Sequence, residues 1–520
     1  MSETFGFRSQ KKVCVEAPKE PPTTLTSKDS TRTWSPQQQA IFEFCSKSKK
    51  SLVVRARAGT GKTTTILAML PHLKGKTLLC AFNKRIADEL SERVPYETGA
   101  HVRTLHSLGF YLLKRKWPAP IVDQDRSIRL ARAAMQTTCR GLSGWDNDRA
   151  VAKLSDLLKE TAPRIEDPDE VLPVAELFGV FDHCRLAPGD DTLLARAAIQ
   201  AMKLAQEPDG TVGFSDMIYL PLIFDIVRGE YDNVIVDEAQ DMNFAQLELA
   251  QRACRSRLIV VGDDRQAIYG FRGADSGSID RLKKAYAADE LGLTVTYRCP
   301  KLVVQEAQKY VKDFVAAESA PVGTVTQGSR EKTIEAAQPG DFVLSRTNAP
   351  LVSVCLELVR RGRRARIEGK DIGKGLIGLV RKARTENIEE MLTWLGEWEY
   401  KAIKRAHEDE KRVEMIQDQV AAITVLAEEA SDVSALCATI DTLFADTGNR
   451  GDSIVLSTIH KAKGLEANRV FILCDTFRGG WATLPVGEES NLRYVAVTRA
   501  KQELILVDPH VTPPAHTRSP

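Results

Sequence analysis

Residues 56–63 read Ala56-Arg57-Ala58-Gly59-Thr60-Gly61-Lys62-Thr63, between an apolar run, Leu52 to Arg55, and a helical run beginning Thr64-Thr65-Ile66-Leu67. Glycines at such a junction leave backbone N–H groups free to surround phosphate oxygens at a helix N-terminus. Lys62 brings a cation to the outer phosphates, and the Thr63 hydroxyl suits magnesium. Alanine 56 takes the place of the first glycine of the shortest pattern, its least demanding position. Ala58 to Thr64 are therefore expected to line a nucleotide.

A second segment, Val234-Ile235-Val236-Asp237-Glu238-Ala239-Gln240-Asp241, is an apolar strand ending in adjacent carboxylates. Asp237 is placed to hold magnesium and Glu238 to polarise the water that attacks a γ-phosphate. Either segment alone has an ordinary alternative, a surface turn or a solvated strand end. Together they point to nucleoside triphosphate hydrolysis, with ATP and Mg²⁺ as the expected cofactors.

These residues need strands that end at one edge. Short β-branched runs followed by turns and helical patterns recur at Leu52 to Arg55, Thr77 to Phe82, Val234 to Asp237 and Leu258 to Gly262. A second series covers Leu293 to Tyr297, Asp341 to Ser345, Ser453 to Thr458, Arg469 to Cys474 and Leu504 to Val507. Such alternation marks parallel α/β sheets, here two in tandem. Helical composition interrupts each series, at about 108–209 and 376–447, and the second stretch is too short for a full-sized core of its own.

The chain has 520 residues, 43% apolar and 27% charged, which is ordinary for a folded globular protein. No apolar run approaches the roughly 20 residues that span a bilayer, so no membrane role is expected. Ten cysteines stand singly without a Cys-x-x-Cys pair, against a zinc ribbon or disulfide scaffold and in favour of an intracellular setting. A net charge of +2 does not announce nucleic acid, so any binding surface must be local. The basic run Arg360, Arg361, Arg363, Arg364 and Arg366 reads equally as a DNA contact or as a solvated face.

From about 34 to 507 the chain resembles the UvrD/Rep branch of superfamily 1 DNA helicases, with wording similar to the F-box DNA helicases. Ser35-Pro36-Gln37-Gln38 resembles the upstream glutamine motif, which implies that Gln38 reads adenine. Val261 to Asp275 resembles the third motif, with Gln266 sensing phosphate and Tyr269, Phe271 and Arg272 suited to stack single-stranded bases. Packing of both rings in the core is the competing reading.

Thr296-Tyr297-Arg298 resembles the fourth motif, implying that Tyr297 stacks on adenine and Arg298 reaches the γ-phosphate. Ser457 to Glu466 resembles the fifth, with Glu466 on the ribose and His460 on the DNA side. Tyr494 to Lys501 resembles the sixth, making Arg499 the arginine finger. Phe82-Asn83 and Thr104-Leu105-His106 resemble the single-strand motifs, implying DNA contacts from Phe82, Asn83, Thr104 and His106. Here the chain departs from its relatives, which place phenylalanine where it has Ala81.

The resemblance implies two RecA-like P-loop domains, each with a helical insertion. Motor domain 1 is expected at 34–107 and 210–285 with its insertion at 108–209, and motor domain 2 at 286–375 and 448–513 with a smaller one at 376–447. Tails are expected at 1–33 and 514–520. The expected activity is an ATP-driven helicase moving 3′ to 5′ on single-stranded DNA, acting at single/double-strand junctions in repair, recombination or replication. A translocase that strips proteins from DNA without strong unwinding is the alternative.

Overall fold

A computed structural model describes residues 33–181, 184, 186–268, 278–406, 410–444, 450–481, 483–485 and 487–508. Two six-stranded, wholly parallel sheets organise them. In the first, the strands are β1 (Leu52–Ala56), β2 (Thr77–Ala81), β3 (His101–Thr104), β4 (Tyr231–Val236), β5 (Cys254–Gly262) and β6 (Asp289–Leu293), in the order β3-β2-β4-β5-β1-β6. Successive residues feed opposite faces. Val53, Leu78, Val234 and Val260 pack into one core, and Leu52, Val54, Ile235 and Ile259 into another.

In the second sheet, the strands are β7 (Thr324–Gly328), β8 (Phe342–Ser345), β9 (Ala365–Ile367), β10 (Ile454–Thr458), β11 (Ala467–Leu473) and β12 (Ala500–Val507), in the order β7-β12-β11-β8-β10-β9. The fold is thus two tandem RecA-like domains, the α/β class expected from the sequence.

One strand lies elsewhere than expected. The run Leu293 to Tyr297 is expected to open the second series, whereas a strand that the sequence does not signal, β6, runs beside β1 with Asp289 opposite Leu52, takes up Leu293 and closes the first sheet. Only Val295–Thr296 continues onward, pairing with Val315–Ala316. Its polar start, Asp289-Glu290, hid the strand: Glu290 is satisfied by Arg55 and Lys283 rather than by burial.

The helices between β3 and β4 have a core of their own, from Leu113 to Leu220. Those between β9 and β10 have only a small cluster of their own, Ala402, Ala406 and Ile416. Leu376, Met391, Ile423 and Leu436 share one core with Val343 and Leu456 of the sheet. In the basic run, Arg360 pairs with Glu429, Arg361 with Glu357 and Arg366 with Glu368, while Arg363 donates to the carbonyls of Ala337 and Glu335. These arginines secure the second domain's own helices and strands.

Candidate ATP site and single-strand track

The strand order sets β4, β5 and β1 side by side, so their C-terminal ends deliver Asp237, Asp263 and the P-loop to one crevice, where parallel α/β sheets bind ligands. Gly59 and Gly61 hold φ of +67° and +81°. A Cβ on Gly59 would lie 2.5 Å from Cβ of Arg298, because the Tyr297 N–H donates to the Gly59 carbonyl at 2.9 Å. The loop therefore needs glycine there both for its backbone angle and for the approach of the second domain. Gly61 caps helix Lys62–Met69, whose N-terminus faces the crevice, with Thr63 and Thr64 half-buried in its first turn.

Lys62 Nζ lies 2.9 Å from Glu238 Oε1. Burial opposes its charge, but Glu238, Asp263 and Asp237 hold its pKa above the ordinary lysine value. Glu238 sits at φ +52°, ψ +41°, a conformation that costs a non-glycine residue on the order of 1–3 kcal/mol. Gln240 Nε2 also donates to Glu238, at 2.5 Å. Burial would raise Glu238's pKa, yet Lys62 and Lys463 hold it below the usual range, so it stays ionised. Asp237 is the opposite case, raised by burial and by Glu238 beside it. Even with Lys62 and Lys463 acting on Glu238, Asp237 stays raised, so the pair is short of positive charge, which fits a divalent cation held by Asp237 and Thr63.

Gln38 uses one amide proton and one acceptor position within the protein. Its Nε2 donates to Thr65 Oγ1 at 3.0 Å and its Oε1 accepts the Ser35 N–H at 3.1 Å. Gln266 is buried and donates to Asp263 Oδ2 at 2.6 Å. Tyr297 is exposed, its ring open to a planar partner. Arg298 and Glu466, expected to act separately on the γ-phosphate and the ribose, are joined through Nε and Oε2 at 2.6 Å. Arg499 is 1% exposed and donates to Val495 O, Leu465 O and Thr498 Oγ1. Burial, with Arg298 alongside, pushes its pKa down to about 10.

Sequence reasoning missed the contacts that join the domains. The Ala58 N–H donates to the Tyr494 hydroxyl at 2.9 Å, and that hydroxyl lies 3.4 Å from Asp263 Oδ2. Lys463 Nζ reaches Asp241 at 2.6 Å and the Gln266 carbonyl at 2.6 Å. Arg57 spans Asp263, Asp264 and Asp313. The signal was present, since Lys463, Tyr494 and Asp241 all lie inside motif strings, but nothing in one strand of sequence pairs them.

On the track, Asn83 and Thr104 cap helices Lys84–Arg93 and Leu105–Lys116, accepting the N–H groups of Ile86 and Ser107. Phe82 is half-buried against the first-domain core. His106 stacks on Phe214 with ring centroids 3.9 Å apart, and burial lowers its pKa to about 4, so the ring is neutral at physiological pH. Phe214, 63% exposed, was not anticipated. His460 is half-buried in the short helix Ile459–Ala462. Tyr269, Phe271 and Arg272 lie outside the described residues.

The profile of the UvrD/REP helicase N-terminal domain matches residues 34–287, and that of the UvrD-like helicase C-terminal domain matches residues 453–507. The chain belongs to the UvrD-like superfamily 1 helicase family. It is 24% identical to F-box DNA helicase protein 1 of Schizosaccharomyces pombe over 95% of its own length and 59% of that protein. It is 26% identical to the ATP-dependent DNA helicase Rep of Escherichia coli over 49% of its length and 39% of Rep. A third relative, the putative ATP-dependent DNA helicase YjcD of Bacillus subtilis, is 22% identical over 88% of this chain and 77% of that protein. The chain therefore spans about three-fifths of the first relative and two-fifths of Rep. Among the described residues, no helix is long and apolar enough to cross a membrane.

Proposed function

We propose that this chain is an ATP-dependent DNA helicase that moves 3′ to 5′ along single-stranded DNA and opens duplex at single/double-strand junctions. The observation that carries the reading is the divided site. Lys62, Asp237 and Glu238 stand on the first domain, and Arg298 and Arg499 stand across the crevice on the second. Hydrolysis then depends on closure, and closure moves one DNA-gripping surface against the other.

In this reading Lys62 holds the outer phosphates and the amides from Ala58 to Thr64 cradle them. Gln38 and Tyr297 hold adenine, and Glu466 the ribose. Thr63 and Asp237 would hold magnesium, which supplies charge neutralisation on the phosphates. Glu238, kept ionised by two lysines, accepts the proton of the attacking water. Gln266 senses the phosphate. The arginines leave their own-domain partners as charge develops on the transferred group.

Phe82, Asn83, Thr104, His106 and His460, with Tyr269, Phe271 and Arg272, form the track. The family membership and the neutral, stacked His106 support a surface made for bases rather than for charge alone. The test is ATP turnover with and without single-stranded DNA, followed by unwinding of duplexes tailed at either end. DNA-stimulated turnover and opening of 3′-tailed substrates are expected. Turnover indifferent to DNA overturns the reading.

A further inference from the structure

The helical insertion of the first domain carries a groove of about 690 Å³ that the motor mechanism does not use. It lies between helix Arg126–Thr138, which contributes Ser127, Arg129 and Arg132, and helix Trp145–Thr161, which contributes Trp145 and Arg149. Arg149 and Trp145 are one turn apart, so the guanidinium lies over the indole, 4.8 Å from its centroid, and Arg132 approaches from the facing helix at 5.7 Å. The indole is nonetheless 62% exposed.

The arginines differ in how far they are neutralised. Arg129 is tied to Asp123 and Asp209, and Arg132 stands 3.5 Å from Asp148. Among the described residues, Arg149 makes no ion pair, and Asp125 is the one carboxylate in the groove wall. An exposed aromatic face beside an unneutralised guanidinium is the pairing that holds a base and its phosphate together.

One helix links the groove to the track. Asp156 Oδ1 accepts from Ser127 at 2.9 Å and from Ser215 at 2.5 Å, so a groove residue and the neighbour of Phe214 share one oxygen atom. Arg126, Lys159 and Asp216 lock the same junction from within. Trp145 lies eleven residues, about 16 Å, along the same helix from Asp156, so only a strand long enough to run that distance beyond His106 and Phe214 reaches it.

We infer that the Trp145–Arg149 groove is a second single-stranded nucleic acid subsite, which extends the path from the His106–Phe214 stack onto the helical insertion. The inference rests on the single-strand motor reading. It favours nucleic acid over an acidic peptide because the groove sets an exposed indole beside arginines rather than offering an apolar slot.

Anisotropy titrations of the full chain with oligothymidines of graded length test it. Short strands that fill only the motor cleft should bind wild type, Trp145→Ala and Arg149→Gln alike. Beyond the length that reaches the groove, wild type should tighten. Trp145→Ala should lose that gain, about 5- to 150-fold, as expected for one stacked base. Trp145→Phe should keep most of it. Arg149→Gln should lower the salt slope of long-strand binding by about 0.7, one single-strand phosphate contact. Basal ATPase should not change in any of the three. If the variants follow wild type at every length, the result an acidic-peptide groove would give, the subsite is overturned while the motor stands. If wild type binds no strand at all, both readings fall.

Discussion

The two walls of the nucleotide crevice are built from opposite charge. On the first domain Asp237, Glu238, Asp241 and Asp263 crowd around Lys62, with Arg57 behind; on the second stand Arg298, Lys463 and Arg499, with Glu466 among them. Each wall carries its charge at a cost. Burial holds Asp237, Asp241 and Asp263 above the usual carboxylate range and pulls Arg499 below the usual guanidinium range. The stress on one wall is relieved by the other, or by what binds between them. Lys463 on Asp241 is one such relief already made, and a triphosphate with its cation would supply the rest.

Breaking the carboxylate wall at its reactive point should have the largest effect. Glu238→Gln keeps the neighbour Asp237 and removes the charge that orients water, so steady-state hydrolysis should fall by orders of magnitude while labelled-nucleotide binding persists. Near-normal turnover would remove Glu238 from the chemistry. On the cationic wall, Arg499→Ala should cut turnover by about 10³-fold or more, with a milder loss of nucleotide affinity. Affinity loss at unchanged turnover per bound ATP would make Arg499 a binding group only. Its three own-domain oxygen partners also forecast local repacking, which circular dichroism would report.

A smaller effect is expected where the walls already touch. Lys463 and Asp241 are 8% and 3% exposed, so removing one partner strands the other. Lys463→Ala should weaken the joined state by about 3–5 kcal/mol, seen in thermal unfolding, and adding Asp241→Asn should recover part of the loss. If the two changes simply add, the pair does not couple the walls.

What the sequence made legible follows from whether a signal is local. The P-loop, the carboxylate pair and the arginine motifs are contiguous strings, and each sits at the strand end or helix start that its pattern required. The helical interruptions were also legible, because composition and period persist over many residues. Partnerships across the chain were not. The pairing of Lys463 with Asp241 spans 222 residues, and that of Ala58 with Tyr494 spans 436. β6 is not legible because its acidic start, held by Arg55 and Lys283, lacks the apolar signature of an inner strand. Phe214 and Trp145 escaped because one exposed ring in a helical stretch reads like any other residue until its neighbours are known.

The finest test concerns the proton that Asp241 carries. Burial raises its pKa to about 6, against an ordinary value of 3.8, even though Lys463 pulls the other way. The folded chain therefore holds this proton at pH values where the unfolded chain has already released it. By linkage, the group's contribution favours folding fully below about pH 4 and declines as pH rises toward 6, after which it is constant. Asparagine cannot ionise, so Asp241→Asn should lack this decline. Relative to wild type, the variant should gain ~2–3 kcal/mol between pH 4 and pH 7, measured by denaturant unfolding at each pH. The benefit of Lys463 has the opposite trend, since only ionised Asp241 attracts it. Lys463→Ala should therefore cost most at pH 8 and least at pH 5. Parallel wild-type and Asp241→Asn curves across that window would mean that Asp241 titrates normally, and the picture of a carboxylate wall charged against its burial would lose this member.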